Sequence, residues 1–157
     1  MTDDPIMAEI IAAGALLRSG DRAGARIRFE ALWPPIAGGE QPYYECAFSH
    51  IMADVQDDPT EELAWDLRAL AAARRCTDAD VQRHGQVMSL AAFMPSLHAS
   101  LAGDYYKLGD FALCREHLAS DRQFVGDLAD DSYGQLIRHG IERIERGLAA
   151  KGAGLTG

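Results

Sequence analysis

"YYKLGDFALC", residues 105–114, repeats the layout of "LLRSGDRAGA", residues 16–25: two large apolar residues, a basic one, an arbitrary one, Gly-Asp, then a small residue four places after the Asp. Glycine stops a helix because it enters the left-handed conformation at little cost, and a following Asp accepts from the free N–H groups that open the next helix. Each stretch reads as the joint of a helical hairpin.

Outward from these joints, apolar residues recur three and four apart and no run alternates strictly, which predicts helices and no strands. A first helix is expected over about 6–19, with Ile6, Ile10, Ala13, Leu16 and Leu17 inward. Its partner carries Ala25, Phe29 and Leu32 and is expected to stop at Pro34 and Pro35, where N–H groups are missing. "YYECAFSHIMADV" resumes helical spacing at 43–55. Asp58, Pro59 and Glu61 then give a start signal for a helix running to about Arg75. Thr77 caps a further helix expected to reach Phe93 through Val81, Val87, Met88 and Ala91, with Gly85 interrupting it. A helix from Pro95 or Ser96 to Leu108 buries Leu97, Leu101, Ala102 and Tyr105, and its partner runs from Phe111 to Leu128. The last helix, Asp131 to Ala150, turns Tyr133, Ile137, Ile141, Ile144 and Leu148 to one side. Gly140 and Gly147 fall on that side and predict that a neighbouring backbone comes close at both. The tail "KGAGLTG" carries no packing signal.

The chain has 157 residues, enough for one domain with a real core. Its formal net charge of −9 opposes phosphate backbones and anionic lipid surfaces, so neither nucleic acid nor a membrane is an expected partner. Lys107 and Lys151 are the sole lysines, and Arg138, Arg143 and Arg146 read as a solvated helix face. Cys46, Cys76 and Cys114 are widely spaced, which fits neither a disulfide framework nor a zinc knuckle and predicts reduced thiols. The opening "MTDDP" is acidic, Glu9 breaks the apolar stretch after it, and no segment reaches membrane-spanning length. A cytoplasmic protein is expected. Arginine in place of lysine and abundant alanine suggest a GC-rich bacterial source.

With helices paired through Gly-Asp turns, the chain resembles the tetratricopeptide repeat (TPR) family of stacked helix-turn-helix hairpins. In the first hairpin the resemblance runs through Ala13, Leu16, Gly20, Asp21, Ala25 and Phe29. In the third it runs through Ala102, Tyr105, Gly109, Asp110, Cys114 and Leu118. The separation of the two turns is no multiple of the family's repeat of about 34 residues, the closing proline is absent after the third hairpin, and the middle hairpin lacks Gly-Asp, so the array is degenerate. The resemblance implies an all-α fold of antiparallel helical hairpins stacked as a TPR-like right-handed superhelix. About seven or eight helices are expected, in a single domain over 1–150 followed by a flexible tail at 151–157.

It also implies a protein- or peptide-binding scaffold without catalytic activity or cofactor, whose concave groove is lined by the first helix of each hairpin. The groove-facing candidates are Tyr44, Phe48, Ile51 and Met52 in the second hairpin and Ser96, Ala99, Gly103, Tyr106 and Lys107 in the third. The family's clamp for a terminal carboxylate needs Lys and Asn, which these faces lack, so an apolar or amphipathic partner segment fits better. Self-pairing of exposed faces into a homodimer is a further option. The alternative is a small-molecule-binding or enzymatic helical domain with a polar pocket around His98 and Arg138, to which Ser96 and Tyr133 could contribute. His98 with Asp104, or Cys114 with His117 and Asp121, could ligate a metal, yet Cys114 holds a packing place and no second ligand pair stands at matching spacing. No metal site is expected, and no nucleophile elbow, zinc-helix motif or phosphate loop is present.

Overall fold

The computed structural model describes residues 5–38, 40–83, 90–128 and 130–155, with the side chains at 81, 90–93, 127 and 152–155 excepted. Among the described residues the protein is all-α, with eight α-helices and no strand. They are α1 (Pro5–Arg18), α2 (Arg22–Ile36), α3 (Pro42–Val55), α4 (Pro59–Ala73), α5 (Asp78–Arg83), α6 (Leu90–Leu108), α7 (Phe111–Phe124) and α8 (Ser132–Leu155), with a 3-10 turn at Val125–Asp127. No helix among the described residues is long and apolar enough to cross a membrane. The chain divides into two compact units, 1–90 and 91–157.

The two Gly-Asp joints have the same hydrogen-bond geometry. Gly20 and Gly109 have φ of +96° and +80°. At the first joint the Asp21 N–H donates to the Leu16 carbonyl at 2.9 Å and the Gly20 N–H to Leu17 at 3.1 Å. At the second, Asp110 donates to Tyr105 at 2.9 Å and Gly109 to Tyr106 at 3.1 Å. This pairing of outer and inner bonds is the Schellman closure, which satisfies carbonyls that a helix end leaves open. Each Asp then caps the next helix, accepting from Gly24 at 2.9 Å and from Leu113 at 3.2 Å.

In the first unit α1 packs on α2, α3 on α4, and α2 and α1 both on α3. Their shared core holds Met7, Ile10, Ala13, Phe29, Ile36, Phe48, Met52 and Val55. Arg22 and Arg26 of α2 clasp the end of α3: Arg22 donates to the carbonyls of Asp54 and Val55 at 3.2 and 3.0 Å, and Arg26 to Val55 at 2.8 Å. Two cations thus meet the negative end of a helix dipole and fill its orphan carbonyls. In the second unit Ala102, Cys114, Leu118, Ile141 and Leu148 form the core, drawing α6, α7 and α8 together.

Several expected boundaries move. Pro34 and Pro35 lie inside α2, which ends at Ile36. Proline's fixed φ suits a helix; each removes one hydrogen bond near the helix end, where buried Ile36 anchors the last turn. Pro95 likewise lies inside α6, which begins at Leu90, earlier than expected. α5 is observed to Arg83; Gly85, Val87 and Met88 lie outside the described residues. α7 stops at Phe124 in place of continuing to Leu128, and α8 continues to Leu155, past the expected end at Ala150. At Gly147 the close neighbour is a side chain in place of the expected backbone, since a Cβ there would fall 2.6 Å from the Tyr106 hydroxyl; at Gly140 a Cβ would meet nothing within 4 Å.

Candidate functional site

In the first unit a groove of about 310 Å3 runs between α2, α3 and α4. Arg26, Glu30 and Trp33 contribute from α2, Phe48 and Met52 from α3, Gln56 just beyond it, and Glu61 and Trp65 from α4. The helices supply the spacing: Arg26, Glu30 and Trp33 are four and three residues apart, and Glu61 and Trp65 four, so each set lies along one face. Phe48, fully buried, is the floor. Trp33 stacks on it with centroids 5.2 Å apart, and Trp65 meets its edge at 5.8 Å. The two half-buried indoles meet at 85° with centroids 5.2 Å apart. The Arg68 guanidinium lies 4.7 Å from the Trp33 centroid and 5.2 Å from that of Trp65.

In the second unit, polar groups gather between α6, α7 and α8. His98 is 4% exposed, and its Nδ1 lies 3.0 Å from the Nδ1 of His117, a separation at which one of the two donates. Phe124, His98, His117 and Tyr105 follow one another as a row of rings, with centroids 6.0, 5.3 and 5.5 Å apart. One turn beyond His117, Asp121 is fully buried and neither carboxyl oxygen has a hydrogen-bond partner among the described residues. Burial alone pushes its pKa up to about 8, with no cation offsetting it. The Tyr133 phenol is also raised by burial; Ser96 opposes the shift and Asp121 and Asp131 add to it, which places Ser96 and Asp121 near that hydroxyl.

Arg138, half-buried, donates to the Leu128 carbonyl at 3.1 Å. It borders a second groove of about 340 Å3 with Arg122, Val125, Ile141, Glu142 and Glu145, in which Arg122 pairs with Glu145. His98 does not line this groove.

The groove-facing residues expected from the sequence separate. Phe48 and Met52 line the first groove, as a buried floor rather than an exposed wall. Tyr44 and Ile51 are half-buried against the core, with Ile51 turned toward Gly14 of α1. Ser96 is buried. Ala99 is half-buried against the core of the second unit, Gly103 lies toward Ile144 of α8, and Tyr106 toward Gly147. Lys107 is exposed. Trp33 and Trp65 were not singled out by sequence, although two indoles on helices otherwise rich in charge were the available signal.

All three cysteines are free and buried. Burial raises the Cys46 thiol far above its ordinary range, with Cys76 and Glu45 adding to the effect. It raises Cys76 to about 11, reinforced by Asp80 and opposed by Arg75, and raises Cys114 against the pull of Arg115. Protonated thiols in such settings are poor nucleophiles and poor metal ligands.

No family model, curated protein or solved structure matches the chain. The likeness to tetratricopeptide repeats rests on its turn and packing residues alone.

Proposed function

We propose that this protein is a TPR-like helical scaffold that binds a protein or peptide partner, and that the groove of the first unit receives an amphipathic segment. The observation that carries this reading is the pair of half-buried indoles set over the Phe48 floor between α2 and α4. Tryptophan is enriched among the residues that dominate binding energies, because it presents a large rigid surface at small entropic cost. Hydrophobic residues of a partner helix or strand would lie along Met52 and the indoles.

Selection of short peptides against the native chain tests this. Trp33 and Trp65 are its only tryptophans, so a segment seated in the groove must change the indole emission. Trp65→Ala, checked for intact helicity, is expected to weaken the selected peptides by on the order of ten-fold or more. Peptides that bind without altering the emission, and equally well to the variant, would remove the reading.

A second reading has its own observation. A buried, unpaired carboxyl beside a tyrosine and near a histidine pair is the kind of arrangement that small-molecule and enzymatic sites use, because burial tunes acids and bases toward neutral pH. Under this reading a small ligand raises the melting temperature of the wild type, and both His98→Gln and Asp121→Asn abolish the increase. Persistence of the increase in both variants would exclude the cluster as its site.

A further inference from the structure

We propose that the groove bounded by Trp33 and Trp65 selects a partner segment carrying a cationic side chain, a guanidinium or alkylammonium, with Glu30 and Glu61 as its counter-charges. This inference rests on the scaffold reading and specifies its partner.

Three observations converge on it. First, the indole pair already associates with a cation: the exposed Arg68 guanidinium stands within 4.7 and 5.2 Å of the two ring centroids and makes no hydrogen bond or ion pair among the described residues. The rings themselves are what it meets, through the attraction of a positive charge for an aromatic face. Second, the carboxylates of Glu30 and Glu61 line the groove, exposed and without a hydrogen bond or ion pair among the described residues. Third, the one basic residue on that lining, Arg26, is held by the Val55 carbonyl at the end of α3. The groove therefore presents two uncommitted negative charges beside an aromatic pair whose own cation, Arg68, is held by the rings alone and can give way to a partner's.

Other occupants fit less well. An anionic segment would meet both carboxylates and a chain of net charge −9. A wholly apolar one would strip water from the carboxylates and give them no partner. A cation lying against an indole face satisfies both at once, and its alkyl stem can follow the apolar floor.

The test uses two six-residue peptides of alternating leucine and arginine, one of them with citrulline in place of arginine, so that shape is kept and charge removed. Affinity is read by calorimetry at physiological salt, and location by the emission of the two indoles. The arginine peptide is expected to bind at least about ten-fold more tightly than the citrulline peptide and to shift the emission. Replacing both acids, Glu30→Gln with Glu61→Gln, is expected to abolish most of that preference while leaving helicity intact. Equal binding of the two peptides with an emission change in each would overturn the charge requirement and leave the groove reading in place. A preference for arginine that survives the double replacement would also overturn it, since general attraction to an acidic chain would then account for the result. No emission change with either peptide would sink the inference and the groove reading together.

Discussion

Asp121 shows what one buried carboxyl does to a small helical unit. Its oxygens have no hydrogen-bond partner among the described residues, and burial moves its pKa up to about 8 from the ordinary 3.8. The stabilising contribution of the neutral form is therefore complete below pH 3.8, falls steadily as the pH rises, and is gone above 8. Asp121→Asn keeps the shape and removes the titration. Denaturant melts at two pH values should show the variant gaining on the wild type between pH 5 and pH 8 by roughly 1–3 kcal/mol. Parallel pH profiles would mean that the carboxyl ionises freely in the fold. A buried acid that lowers stability at neutral pH is the kind of residue a protein keeps for a reason other than folding.

Among the elements, α8 offers an internal comparison. Gly140 and Gly147 both sit in its interior, where glycine costs about 1 kcal/mol against alanine. Since a Cβ on Gly140 meets open space, Gly140→Ala should raise stability by up to about that amount. A Cβ on Gly147 would lie 2.6 Å from the hydroxyl oxygen of Tyr106 and 2.9 Å from its Cζ, so Gly147→Ala should lower it. Thermal melts of the two variants moving in opposite directions would confirm that Tyr106 of α6 packs against the backbone of α8. The sequence placed both glycines on the packing side and could not separate them, because the difference lies in what the neighbouring helix presents. The same distinction runs through the fold. Gly20–Asp21 and Gly109–Asp110 were legible because glycine and aspartate act on backbone groups within a few residues. Pro34, Pro35 and Pro95 misled because burial of neighbours such as Ile36 outweighs a lost hydrogen bond. The groove was legible only in its floor, through Phe48 and Met52. Its walls, Trp33 and Trp65, come from helices on either side of α3 and meet only in three dimensions. Likewise Ser96, His98 and Tyr133 could be named as polar residues near hairpin ends, while Asp121 gained its character from enclosure.

On the scale of the whole molecule, charge sets the long-range behaviour. With 24 acidic and 15 basic residues the chain attracts cations over distances that salt shortens. Association of an arginine-bearing segment should therefore slow by on the order of ten-fold between low and high salt, while its dissociation changes far less. Stopped-flow measurements across an ionic-strength series would show this, and a flat association rate would exclude electrostatic steering. Each unit also encloses its own cysteine chemistry: Cys46 and Cys76 in the first, Cys114 in the second, all shielded and held in the thiol form. An alkylating reagent can reach these sulfurs only when the structure around them opens. The rate at which each becomes labelled is therefore a clock for local breathing, and peptide mass mapping of the adducts reads one clock in each half of the chain without any engineered probe.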